Sequence, residues 1–195
     1  MGARLGVLGG TFDPPHLGHL VVAQDVVEAL ELDRLLVVPA GRPPHREAAL
    51  PAPTRLELVR EAFRGDDRIE VTGLETRREG PSYTVDTLAR IRGERSPAEL
   101  WLVIGVDQLR ELHEWRTPER IAELARLAVM SRAGDRPAPD DVRIDVDFRP
   151  VEVTRVDLSS TRIRRRLREG RPIRYLVPER IRERVEEAWA ALAEG

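Results

Sequence analysis

Leu5-Gly-Val-Leu-Gly-Gly-Thr-Phe-Asp-Pro-Pro-His-Leu-Gly-His19 joins a short apolar run, Leu5 to Leu8, to an amphipathic stretch from about His16 to Leu30. The run reads as a strand, the stretch as a helix, and Gly9 and Gly10 as the tight turn between them, since glycine permits backbone angles and close approaches that a Cβ forbids. The same alternation continues outward. Apolar Leu35 to Val38 is followed by a helix from about Thr54 to Phe63, a strand at Ile69 to Val71, a helix from about Thr84 to Ile91, and Leu100-Trp-Leu-Val-Ile104. That last run has no polar alternation and predicts a central strand covered on both faces. Arg126 to Ser131 and Val151 to Val156 complete the strands, and helices near Ser160 to Arg168 and Pro178 to Ala193 close the chain. Strands alternating with helices predict an α/β fold, a doubly wound, mostly parallel sheet with a small C-terminal helical portion.

The chain has 195 residues, 41% of them hydrophobic, enough for one core, so a single domain over residues 1–195 is expected. Its net charge is −2 although 34% of residues are charged, so no global field favours nucleic acid or an anionic membrane. Every one of its 32 basic residues is arginine, a bias that lowers the weight of any single arginine. The absence of cysteine excludes disulfides, thiolate metal sites and cysteine nucleophiles and suits a cytoplasmic setting. The N-terminal apolar run is too short for a signal peptide, and no stretch approaches the roughly 20 apolar residues of a membrane helix.

In a doubly wound sheet ligands bind beyond the carboxyl ends of the strands, and four polar or glycine-containing segments fall there: Gly9 to His19, Pro39 to Arg46, Gly105 to Asp107 and Ser159 to Arg164. Free N–H groups at the start of the first helix attract phosphate. His16 and His19, three residues apart, project from one face at that start, where neutral or cationic rings can donate to phosphate oxygens, and Gly18 keeps that face open. Two histidines at this spacing also suit a metal, but Asp13 alone offers a third ligand, so no protein metal site is assigned. The turn is neither a Walker loop nor a dinucleotide fingerprint. Ser159-Ser-Thr-Arg-Ile-Arg164 precedes the apolar pair Ile163 and Leu167, so its hydroxyls lie at a helix start and suit either a plain cap or an anion. Thr84, at the start of its own helix, is a plausible cap.

The segment G-G-T-F-D-P-P-H-x-G-H resembles the signature of the bacterial nicotinate mononucleotide adenylyltransferases, within the nucleotidylyltransferases that carry an H-x-G-H or T-x-G-H element and a Rossmann-like fold. Further likenesses are Pro43-Pro-His-Arg46, Ser82-Tyr-Thr-Val-Asp-Thr-Leu88, Ile104-Gly-Val-Asp107 with Leu109, Leu112 and Trp115 after it, Ser159 to Arg164, and Arg174-Tyr-Leu-Val-Pro178. Together they run from Gly9 to Pro178, nearly the whole chain.

The resemblance implies adenylyl transfer from ATP to nicotinate mononucleotide, giving nicotinate adenine dinucleotide and pyrophosphate. It implies that Gly9, Gly10, His16, Gly18, His19, Gly105, Asp107, Ser159, Ser160, Thr161 and Arg164 bind ATP, with His16, His19 and Arg164 catalytic. Thr11, Phe12, Arg46, Tyr83, Thr84 and Trp115 are then expected at the mononucleotide, Thr11 and Arg46 on its phosphate. Arg46 stands where the family has lysine, and a forked guanidinium is not equivalent to an ammonium at phosphate. The start of the helix after Tyr83 would take the nicotinate carboxylate, and Trp115 would wall the cationic pyridinium ring. Mg²⁺ would bind mainly through the ATP phosphates, largely hydrated. Two alternatives stay open: a relative that prefers nicotinamide mononucleotide or another phosphate acceptor, and a nucleotide-sensing module without chemistry. A homo-oligomer is compatible with the sequence, which does not decide it.

Overall fold

The computed structural model describes residues 3–44, 47–131, 137–138 and 142–193. Within them the chain runs β1 (Arg4–Gly10), α1 (Leu17–Ala29), β2 (Arg34–Pro39), α2 (Ala52–Ala62), β3 (Ile69–Val71), α3 (Thr84–Arg95) and β4 (Glu99–Gly105). It continues through α4 (Val106–Arg110), a 3-10 turn (Leu112–Glu114), α5 (Pro118–Leu124), β5 (Arg126–Ser131), β6 (Phe148–Glu152), α6 (Ser160–Arg168) and α7 (Glu179–Ala193). The six strands form one sheet in the order β3-β2-β1-β4-β5-β6. Every pairing is parallel, so the expected mostly parallel sheet is wholly parallel among the described residues.

Alternate residues of the central strands feed two cores, which is why their sequences lack polar alternation. Leu5, Val7, Leu36, Leu102 and Ile104 face one side, packed with Leu88 and Ile91 of α3, Leu109 of α4 and Ile121 of α5. Leu8, Leu35, Val37 and Val103 face the other, against Val26 and Val27 of α1, Val59 of α2, Ile163 of α6 and Val185 of α7. The C-terminal helical portion, α6 and α7, packs in the same layer as α1 and α2, with α7 lying along α2.

Strand β1 pairs with β2 on one side and β4 on the other, so Val7 stands beside both Leu36 and Leu102. This is where the strand order reverses, and it opens a crevice at the carboxyl edge of β1 and β4. Three departures from the sequence reading have local causes. The last strand spans Phe148–Glu152 instead of Val151 to Val156, because pairing with Leu127 to Ser131 begins at Phe148, ahead of the apolar alternation. Helices α4 and α5, of 5 and 7 residues, are absent from the sequence reading because they are too short to show a helical period. Thr84 is the first residue of α3, and the cap position is Tyr83, with no side-chain cap bond. The Pro- and Asp-rich loop from Gly134 to Asp141 falls almost wholly outside the described residues.

Candidate active site

The turn after β1 holds two histidines in a fixed relation. His16 caps α1 in extended backbone, and its N–H donates to His19 Nδ1 at 3.1 Å. The two rings stack with centroids 3.7 Å apart, and Phe12 lies against His19 at 4.8 Å. Burial pushes the His16 pKa down to about 4. Burial, and secondarily its neighbour His16, takes His19 down to about 3. Both rings are therefore neutral at pH 7, which corrects the cationic option in the sequence reading. Because Nδ1 of His19 accepts, the proton of the neutral ring resides on Nε2, so one N–H donor remains for a ligand. Gly18 serves His16 itself, since a Cβ there would stand 3.1 Å from the imidazole.

Around this pair lies a cleft of about 370 Å³. Gly9, Gly10, Thr11, His16, Gly18 and His19 line it from the β1 turn, and Ser159, Ser160, Thr161 and Arg164 from the start of α6. Ser159 is a true cap, its hydroxyl accepting from the Arg162 N–H at 3.2 Å, while Ser160 donates to the Pro14 carbonyl at 2.9 Å. Arg164 Nη1 donates to the Asp13 carbonyl at 2.7 Å, and Nη2 donates to the Thr161 hydroxyl at 3.2 Å. These bonds hold the guanidinium at the cleft wall and leave it further N–H donors. Val22, Met130, Val156 and Leu158 give the cleft apolar lining as well.

Asp13 is buried beneath the turn. Its carboxylate accepts from the N–H groups of Ala49 at 2.6 Å and Leu50 at 3.0 Å, and Arg164 approaches within 3.6 Å.

A second cavity, about 210 Å³, lies between the ends of β1, β2 and β4 and the start of α3. Trp115, Thr84, Ser82, Thr87 and Glu75 line it together with Pro43 and Pro44. The two cavities share Gly9, Gly10, Thr11 and Gln108. Two pockets for two groups thus meet over the end of β1.

Most of the expected residues converge here, with four exceptions. Phe12 lines the histidine cleft and not the cavity at Trp115, because its ring is turned against His19. Tyr83 lines neither, lying under the Arg116 guanidinium at 4.8 Å. Asp107 also lines neither cavity; its side chain is 94% exposed and pairs with Arg110 at 3.5 Å. Gly105 caps α4, its N–H held by Gln108 Oε1 at 3.1 Å, so Gln108 reaches the cavities in its place. Arg46 lies outside the described residues.

Sequence reasoning missed Arg55, Glu75, Thr87 and Gln108. Arg55, 1% exposed, donates to the carbonyls of Leu50, Thr11, Ala40 and Gly41 at 2.7–3.0 Å. It fastens the turn after β1 to the loop after β2. Its signal was available, since Arg55 falls on the stripe of Leu58, Val59 and Ala62, where an unpaired arginine would be costly. Burial raises the Glu75 carboxyl above its ordinary range, opposed by hydroxyls of Thr87 and Ser82 and by Arg78.

Residues 7–166 match the Cytidylyltransferase-like family. A protein of Thermus thermophilus named "Probable nicotinate-nucleotide adenylyltransferase" is 43% identical over 187 residues, covering 94% of this chain and 96% of the relative. Another of that name from Rubrobacter xylanophilus is 41% identical, covering 92% and 88%. The Plasmodium falciparum nicotinic acid mononucleotide adenylyltransferase, solved in complex with NaAD, superposes with TM-score 0.77 over 97% of this chain and 95% of its own, at 13% identity, which supports the fold. By its family match across the sheet and its curated relatives across nearly all its length, the chain belongs to the nicotinate-nucleotide adenylyltransferase family of Cytidylyltransferase-like proteins.

Proposed function

We propose that the chain transfers AMP from ATP to the 5′-phosphate of nicotinate mononucleotide, releasing pyrophosphate and forming nicotinate adenine dinucleotide. The observation that carries this reading is the junction of two cavities over Gly9 to Thr11, one beside His19 and Arg164, the other beside Trp115 and the start of α3. The cleft with the histidines suits a triphosphate, with its apolar lining for a base. The Trp115 cavity suits a pyridinium ring, whose charge an indole face attracts, with the amides at the α3 start favouring a ring acid over a neutral amide.

An oxygen of the mononucleotide phosphate attacks the α-phosphorus in line, and the bond from that phosphorus to the bridging oxygen breaks as pyrophosphate leaves. The nucleophile is ionised at pH 7, so no general base is needed. The protein acts by positioning and by stabilising charge. His19, with its proton on Nε2, donates to the α-phosphate, His16 holds His19 in that state through its N–H, and Arg164 takes charge on the departing phosphates. Mg²⁺, when bound with ATP, supplies neutralising charge between phosphates. That cation would be held mainly by the ATP phosphates and keep much of its water. Arg46 is proposed at the mononucleotide phosphate with Thr11, and Asp107 at a ribose hydroxyl, reached from its exposed position at the β4 edge.

The test is pyrophosphate release by the purified protein with ATP, Mg²⁺ and, in turn, nicotinate and nicotinamide mononucleotide. Release with the acid at a kcat/KM well above that with the amide is expected. Binding of both substrates without release would overturn the reading in favour of a sensing module, and equal or better turnover of the amide would overturn the acid preference. Among the described residues no helix is long and apolar enough to cross a membrane.

A further inference from the structure

Glu75 is a buried acid in the wall of the Trp115 cavity, and the chemistry above makes no use of it. It sits between two elements that must hold still for a ring acid to be recognised. From α3, the Thr87 hydroxyl donates to Glu75 Oε1 at 2.6 Å. At the residue before the α3 cap, Ser82 Oγ accepts the N–H of Gly41 at 3.0 Å and of Arg42 at 3.3 Å, which ties the start of α3 to the loop after β2 beside Glu75. The Ser82 N–H in turn donates to the Arg42 carbonyl at 2.9 Å. Gly41 packs so closely that a Cβ there would stand 2.3 Å from the Glu75 carbonyl oxygen. Glu75 thus joins the first turn of α3, through its carboxyl, to the loop after β2, through its backbone.

The geometry points to Glu75 as the positioning residue of the ring-acid pocket: by accepting the Thr87 hydroxyl while its own backbone packs on Gly41, it fixes the start of α3 against the loop after β2, so that the helix amides face the substituent of the pyridine ring. Such a residue acts through others, without touching the reacting phosphates. A carboxylate is suited because both of its oxygens accept, whereas an amide has one accepting oxygen and an NH2 that only donates. Occupied by the Thr87 hydroxyl, and with Arg78 nearby, the carboxyl also presents less bare charge to an incoming carboxylate.

The inference rests on the proposed pyridine-nucleotide reading, and the experiment separates the two. Glu75→Ala and Glu75→Gln are made in the full chain, and KM and kcat are measured for ATP and for nicotinate mononucleotide. For the Ala variant, KM for nicotinate mononucleotide is expected to rise roughly tenfold or more, since misplacement of about 1 Å can cost far more than that. KM for ATP stays within about twofold, the preference for acid over amide ring narrows, and Gln, which keeps one acceptor, falls between. An unchanged KM for nicotinate mononucleotide, or equal rises in both KM values, overturns the inference. Should Glu75→Ala not fold, Thr87→Val removes the hydroxyl that Glu75 accepts at similar volume, and the same selective rise, or its absence, decides. Should the wild type show no turnover, the functional reading fails alone. Calorimetric affinity for nicotinate mononucleotide, wild type against Glu75→Gln, then decides for Glu75, a drop supporting it and equality overturning it.

Discussion

Substitutions at His19 should divide catalysis from folding, because its two ring nitrogens have different tasks. Nδ1 accepts the His16 N–H and so completes the start of α1, while Nε2–H is the donor left for the α-phosphate. His19→Ala removes both. Losing a donor to developing charge costs about 2.7–4 kcal/mol, or roughly 10²–10³ in kcat, and at least tenfold is expected here. Losing the cap acceptor costs about 1 kcal/mol, or roughly 2–4 °C in Tm for a chain of this size. His19→Asn is short and can keep an acceptor near Nδ1, so its Tm should stay near wild type while kcat falls as in Ala. His19→Gln is long enough to bring an amide donor near Nε2, so it should keep more activity than Asn and lose the cap. Pyrophosphate release with saturating ATP and nicotinate mononucleotide, beside scanning calorimetry, reads both axes. A folded Ala variant with wild-type kcat refutes the role, and Asn and Gln falling together on both axes refutes the division of labour.

Three further outcomes follow from the same geometry. Since His16 has a folded pKa of about 4 against an ordinary 6.5, the unfolded chain binds its proton first as pH falls; this contribution is whole above pH 6.5 and declines toward pH 4, by about 2 kcal/mol at pH 5. His16→Asn should therefore lose less stability than wild type between pH 7.5 and pH 5, and an equal loss in calorimetry would count against a neutral buried ring. Arg55→Ala leaves four buried carbonyls without their donor, so a loss of about 3–5 kcal/mol in urea unfolding is expected, and a loss below about 1 kcal/mol would deny Arg55 its part as a fastener. At Gly9 a Cβ meets nothing within 4 Å, so Gly9→Ala should fold as well as wild type or up to about 1 kcal/mol better, yet lose at least roughly tenfold in kcat/KM by filling the space where the substrates join; full activity would show that the phosphates pass elsewhere.

The alternation of apolar runs with helical periods was enough to read the sheet, because β1, β2 and β4 are covered on both faces and their sequences must be apolar throughout. The motifs at strand ends were legible for a related reason: Gly9 to His19 and Ser159 to Arg164 are local segments whose backbone supplies the site. What stayed hidden depends on contacts distant in sequence. Glu75 meets Thr87 twelve residues on, and Arg55 reaches Thr11 across 44, distances at which no period speaks. Asp107 and Tyr83 were placed by motif, yet a motif fixes the backbone path and not the direction of a side chain, and the short α4 turns Gln108 inward and Asp107 outward. Arg55 was overlooked because a chain without lysine makes every arginine look alike.

The remedy lies in burial, which separates arginines that composition cannot. Arg164 and Arg55 converge on the turn containing Asp13 from opposite sides, one lining the phosphate cleft, the other holding the carbonyls of Ala40 and Gly41 beside the pyridine cavity. Between them the Asp13 carboxylate grips the amides of Ala49 and Leu50, and Arg55 also takes the Leu50 carbonyl. The walls of two pockets are thus tied to one buried anion. Exposed ion pairs such as Arg120 with Glu123 contribute little, whereas buried charged groups whose hydrogen bonds are filled hold one arrangement. Adenylyl transfer without a general base depends on bringing two phosphates into line, so accuracy of position is the main thing the protein has to supply. Asp13 and Arg55, each fastening the turn after β1 to neighbouring loops, therefore govern the rate through distance rather than charge, and conservative changes there should lower kcat while leaving the pH profile of the reaction where it was.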